Sequence, residues 1–137
     1  MGGSDDVPEE ILARIRSVCL SLPGTQEQEA WVGVRWRVRG HTFAHVLTVE
    51  SGRPASYAKA AGTDGPALVL TFRGEAEELA ALAGMGTPYF RTHWGREVGG
   101  LVIGPGTDWG EVAELLTDSY CVMAPQKLVA QVDRPHG

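Results

Sequence analysis

The stretch VRWRVRGHTFAHVLTV, residues 34–49, decides the fold, because apolar and charged side chains alternate along its first part. A period of two predicts a β-strand with one buried face, and the apolar residues beyond the glycine predict a second strand. Gly40-His41 places glycine at the first central position of a two-residue turn, which is typical of a type II′ hairpin. This turn predicts three cross-strand pairs, Val38 with Phe43, Trp36 with His45 and Val34 with Leu47.

The segments on either side of this hairpin show helical and strand patterns in turn. Helical spacing and capping residues predict helices over 6–21, 75–83, 108–120 and 125–132, and short apolar runs predict strands over 67–72 and 99–103. A further short strand is predicted near Ser56–Lys59. Consecutive strands followed by helices indicate an α+β fold, with an antiparallel sheet of four or more strands and helices packed on one face.

Length and composition indicate a single domain over residues 1–137, with a core of about 6–132. Hydrophobic residues make up 43% and charged residues 21% of the chain, which is typical of a globular protein. The net charge of −5 argues against nucleic-acid binding over the whole surface but leaves a local basic patch open. No targeting or membrane-spanning pattern is visible, and neither Cys19 nor Cys121 belongs to a CxxC motif. We therefore expect a monomeric cytoplasmic protein with reduced thiols and no membrane partner.

Arginines alternate with the apolar residues of the first hairpin strand. Arg35, Arg37 and Arg39 are expected on one face, about 6.6–6.8 Å apart, which is close to the spacing of phosphates along one nucleic-acid strand. Lys59 and Arg91 would widen this basic face if the fold brings them near. The row therefore suggests weak DNA binding. The alternative is a solvated sheet face whose charges discourage edge-to-edge pairing.

A second candidate site is the aromatic segment around Trp94. Tyr89, Phe90, His93 and Trp94 together offer rings and an imidazole that suit a flat ligand or a protein partner. The alternative is a loop folded over the core.

Known catalytic and metal-binding motifs are missing from the sequence. It contains no GxSxG, GxGxxG, P-loop or CxxC pattern, and its histidines lack metal-ligand spacing. Cys19 falls on the apolar side of the first helix, where a thiolate is disfavoured. The acidic residues before that helix are explained by capping. We therefore expect a non-enzymatic protein with no metal and no cofactor.

Five stretches, in order, resemble the MmcQ/YjbR family. They are LSLPG at 20–24, the VRWRV hairpin at 34–44, the aromatic segment at 87–95, the helix at 108–120 and APQKL at 124–128. His41 stands where the family pattern commonly has lysine. The resemblance implies a small bacterial protein with a frataxin-like fold, called a double-wing DNA-binding fold. It supports the fold more directly than the function, because one fold serves many functions.

Overall fold

The computed structural model describes residues 7–92, 94 and 97–132, which contain five helices and six strands. The helices are α1 (Glu9–Cys19), α2 (Ala55–Ala61), α3 (Ala76–Gly84), α4 (Trp109–Met123) and α5 (Gln126–Val129). The strands are β1 (Thr25–Glu29), β2 (Val34–Val38), β3 (His41–Val49), β4 (Ala67–Arg73), β5 (Tyr89–Arg91) and β6 (Val98–Ile103). In this part of the chain, no helix combines the length and the apolar character needed to cross a bilayer.

The six strands form one sheet in the order β1-β2-β3-β4-β6-β5, and every neighbouring pair is antiparallel. The predicted α+β fold with an antiparallel sheet is confirmed. Two short edge strands, β1 and β5, were not predicted. The β1 sequence, TQEQE, has no buried side chain, so it lacks the alternation of apolar residues from which a strand is predicted.

The larger core lies between the sheet and helices α1, α3 and α4. Helix α4 packs on the central strands β3 and β4, and α1 packs on α4. Trp36, Ile15 and Tyr120 are fully buried there. This face is called the helix face below. The predicted cap of α4 is present, since the Asp108 side chain accepts hydrogen bonds from the backbone N–H groups of Gly110 and Glu111.

The opposite face of the sheet has its own smaller core, covered by α2. Ala58 of α2 packs with Leu47, Val69 and Phe90, which alternate with the residues of the larger core. The predicted short strand near Ser56–Lys59 is therefore wrong. An alanine-rich segment after a proline, closed by a left-handed glycine, favours a helix there. Helices α1 and α4 share one face as predicted, and α2 is an addition on the other.

The predicted hairpin is present, but its register is wrong. The turn lies at Arg39-Gly40, where both residues have positive φ, so it is of type I′ rather than type II′. Val38 pairs with His41, and a β-bulge between Trp36 and Arg37 leaves one extra residue, Phe43, on β3. The observed pairs beyond the bulge are Trp36 with Ala44, Arg35 with His45 and Val34 with Val46. The bulge lets Phe43 and Ala44 both be buried.

One buried hydroxyl ties this bulge to the neighbouring strand and to α4. The Oγ of Ser119 donates a hydrogen bond to the carbonyl oxygen of Phe43. It also accepts a hydrogen bond of 2.7 Å from the backbone N–H of Arg73, at the end of β4. Ser119 itself is fully buried. A single side chain thus satisfies two backbone groups at a point where the regular ladder is interrupted.

Candidate functional site

The face that carries α2 is open over strands β1 and β2, and two arginines of β2 lie there. Arg35 Nε donates a hydrogen bond of 2.8 Å to the amide oxygen of Gln28, and Arg37 also reaches this oxygen. Arg37 bonds as well to the carbonyl of Gly40. Its Nε atom is buried and has no hydrogen-bond partner among the described residues. Both guanidiniums are therefore oriented by neutral acceptors.

The other basic residues of the predicted patch lie elsewhere. Arg39 is not on β2 but in the exposed hairpin turn, because the turn comes one residue earlier than predicted. Lys59 is exposed on α2, whose main strand contacts are with β5 and β6, at the edge of the sheet away from β1 and β2. Arg91 pairs with Gly99 on the far edge of the sheet, and alternation with the inward Phe90 places it on the helix face. The predicted row of three arginines is thus a pair on β2 and a third in the turn.

Strand alternation keeps acidic residues off the open face. The positions that it places on this face of β1 to β4 hold no aspartate or glutamate within the described residues. Glu27 and Glu29 of β1 pair with Trp36 and Val34 and so lie on the helix face. There, Glu27 forms a salt bridge of 2.7 Å with Arg16 of α1. The open face is accordingly positive in a chain whose net charge is −5.

The predicted aromatic site is divided between the two faces of the sheet. Tyr89 packs against the larger core and donates a hydrogen bond to Glu111. Burial, and after it this hydrogen bond, raises the pKa of the Tyr89 hydroxyl to about 12. Phe90 is buried in the smaller core on the opposite face. His93 lies outside the described residues. Trp94 is 44% exposed and lies on the α2 side, so Tyr89, Phe90 and Trp94, the three that are described, do not form one pocket.

Trp94 instead contacts a tyrosine, which in turn contacts a histidine, and neither was predicted as a site residue. Its ring lies against Tyr57 of α2, with ring centroids 4.7 Å apart. The Tyr57 hydroxyl is 3.2 Å from Nδ1 of His45, and Nε2 of His45 is 2.7 Å from the carbonyl oxygen of Val32. Because a carbonyl accepts only, Nε2 carries the proton and Nδ1 accepts from the tyrosine.

Burial sets the protonation of this pair. It lowers the pKa of His45 below its usual range, and the Arg35 charge acts in the same direction. Burial also raises the pKa of the Tyr57 hydroxyl. At neutral pH the pair is therefore a neutral imidazole and a neutral phenol, which suits a fixed support for the Trp94 ring better than proton transfer.

These residues line a cleft of about 330 Å³ between α2 and the sheet. Its walls combine two guanidiniums, threonine hydroxyls and aromatic rings. The polar and aromatic lining consists of Arg35, Thr42, His45, Tyr57, Thr71, Arg73 and Trp94, with Phe43, Ala44, Phe72 and Val98 completing it. Two of these residues, Tyr57 and Arg73, could have been placed on this face from local patterns in the sequence. Pro54 and Gly62 bracket the helix that holds Tyr57, and alternation from Val69 places Arg73 on this face.

Other reactive groups do not join this cleft. No group of three or more His, Cys, Asp or Glu side chains could hold a metal ion within the described residues. Cys19 and Cys121 are free thiols, the first fully buried and the second half-buried. Burial raises the pKa of the Cys19 thiol far above its usual range, which disfavours the nucleophilic thiolate.

Comparison with known proteins agrees with this architecture. The family model YjbR matches residues 20–122, about three-quarters of the chain. A crystal structure of a protein from Pseudomonas syringae is similar with a TM-score of 0.62 and 11% sequence identity, covering 85% of this chain and 98% of that chain. No curated protein matches the chain. Since the family model spans well over half of its length, the chain belongs to the YjbR family.

Proposed function

We propose that this protein is a non-catalytic module that binds DNA weakly, without sequence preference, through the open sheet face around Arg35 and Arg37. The observation that supports it is the separation of charge. An acidic chain keeps one strand face free of carboxylates in its described part and places guanidiniums there. Such a face attracts a polyanion, and the acidic remainder of the surface would orient the protein towards it.

Phosphate is the group that this face suits best. Arg35 and Arg37 are two residues apart on one strand, about 6.6–6.8 Å, which matches successive phosphates along a backbone. Guanidiniums bind phosphate oxygens through paired N–H donors. Hydrogen bonds to the Gln28 amide oxygen and the Gly40 carbonyl orient the guanidinium of Arg37 without neutralising its charge.

Few contacts mean weak and salt-sensitive binding. Each phosphate neutralised contributes about 0.9 to the slope of log affinity against log salt for duplex DNA. Two or three arginines therefore predict a shallow slope of about 2–3 and little discrimination between sequences. Bacterial DNA lies in the cytoplasm, so this proposal also assigns the protein to that compartment.

The test is a double variant, Arg35→Gln with Arg37→Gln, titrated against a fluorescent duplex at low salt. We expect the affinity to fall alike for unrelated sequences and the salt slope to fall by about 2. The matched control is Arg14→Gln with Lys127→Gln, which removes the same charge from exposed residues of α1 and α5 on the helix face. An equal loss in the control, or no binding of the unmodified protein at low salt, would contradict the proposal.

A further inference from the structure

The cleft beside Trp94 opens on the same face as the two arginines of β2. It combines a partly exposed indole ring with the guanidiniums of Arg35 and Arg73. Its volume of about 330 Å³ is at the small end of the roughly 300–1,000 Å³ typical of small-molecule sites. A flat ring with an attached anion matches this lining, because the ring can stack on the indole while the anion meets a guanidinium.

The Trp94 ring is held in place by a chain of contacts that reaches the backbone. Val32 fixes His45, His45 fixes the hydroxyl of Tyr57, and the Tyr57 ring lies against Trp94 at 4.7 Å. The His45 and Tyr57 rings also meet edge to face, with centroids 5.8 Å apart. A ring that is already positioned loses little conformational freedom when a ligand stacks on it.

We propose that this cleft receives one unpaired nucleobase of a single DNA strand, stacked on Trp94, with the adjoining phosphates at Arg35 and Arg73. This inference rests on the proposed function and adds to it a preference for single strands. A base within a duplex is stacked and paired, and it would have to be flipped out to enter. Every base has a π-face, so stacking adds affinity without sequence preference.

A strand fits the site better than a free nucleotide because the cleft continues into the arginine pair. Arg35 lines the cleft, and Arg37 lies two residues further along the same strand. A phosphate backbone leaving the cleft would therefore pass both guanidiniums, whereas a mononucleotide would use only the first. Gln26 and Gln28, on the next strand, add neutral amides along the same path.

The experiment measures fluorescence anisotropy at low salt. The two labelled probes are a 12-nucleotide strand and a duplex of the same strand, and unlabelled AMP is added as a competitor. Four proteins are compared, the unmodified chain, Trp94→Ala, Trp94→Phe and Trp31→Ala. Trp31 is the matched control, because it is 95% exposed and lines a separate cavity. We expect the unmodified protein to bind the single strand about 10-fold more tightly than the duplex.

Trp94→Ala should lose about 10-fold in affinity for the single strand and leave the duplex unchanged, and Trp94→Phe should recover most of the loss. Trp31→Ala should behave as the unmodified protein. Equal binding of strand and duplex with no effect of Trp94→Ala would overturn this inference and leave the arginine face intact. Competition by AMP at the affinity of the 12-mer would overturn the assignment to a strand. No binding of either nucleic acid would overturn the proposed function itself.

Discussion

Replacing Ser119 with alanine should destabilise the protein by about 2–4 kcal/mol. The change removes the hydroxyl that accepts from the Arg73 N–H and donates to the Phe43 carbonyl. Each buried backbone group left without a partner costs about 1–3 kcal/mol. Both groups lose theirs at once, and because the bond at Arg73 is only partly buried, the expected sum is in the lower part of the combined range, about 2–4 kcal/mol. The contribution of the missing oxygen to packing is small by comparison.

Urea unfolding followed by circular dichroism measures this loss, and thermal unfolding should show a midpoint lower by about 10 °C for a chain of this size. The matched control is Ser17→Ala. Ser17 also bonds through its hydroxyl to a backbone carbonyl in a helix, but it is exposed. Water can replace that bond, so the control should change stability by less than about 0.5 kcal/mol.

Amide hydrogen exchange supplies a local readout of the same change. The Arg73 N–H should exchange faster in Ser119→Ala, because its acceptor is gone. A loss of stability below about 0.5 kcal/mol, with unchanged exchange at Arg73, would refute the reasoning. It would mean that the bulge at Phe43 does not depend on α4.

Two further predictions concern β1. Glu27→Gln should cost about 1 kcal/mol at neutral pH. The hydrogen bonds from Arg16 lower the Glu27 pKa below its usual range; burial opposes this shift, and the hydrogen bond from Trp36 adds to it. This stability is present above the unfolded pKa of about 4.3 and is lost as pH falls through the lower folded value. Urea unfolding against pH should therefore show the variant and the unmodified protein converging in acid, whereas exposed Glu10→Gln changes little. Gln28→Glu should lower duplex affinity about 5-fold with stability within about 0.5 kcal/mol, because a carboxylate would neutralise Arg35; Gln126→Glu, exposed on α5, is the control for DNA titration.

The period of two in residues 34–38 was sufficient to predict β2 and its buried face, but not the register of the hairpin. Arg39-Gly40 and Gly40-His41 are both two-residue turns, and no local signal favours an arginine at φ 50°. The choice is made by packing, because the bulge buries Phe43 and is bonded to Ser119, 76 residues away. A contact so distant in sequence leaves no mark on local periodicity.

The candidate site was predictable only in part. Arg35 and Arg37 followed from alternation along one strand, which needs no tertiary information. The placement of Tyr89 and Trp94 on opposite faces of the sheet did not follow from the sequence, because it depends on the pairing of β5 with β6 at the sheet edge. Tyr57 is missed because the sequence pattern predicts a short strand near Ser56–Lys59, although Pro54 and Gly62 mark a helix.

The positive face exists because of the register of β1. In TQEQE, glutamines and glutamates alternate, so pairing decides which type faces the arginines. Gln28 lies opposite Arg35, while Glu27 lies opposite Trp36 and bonds to both its indole N–H and Arg16. A shift of β1 by one residue would place its glutamates opposite Arg35 and Arg37, and a glutamine instead of Glu27 opposite Trp36. The salt bridge and indole bond of Glu27 on the helix face thus stabilise the arrangement that leaves Arg35 available on the other.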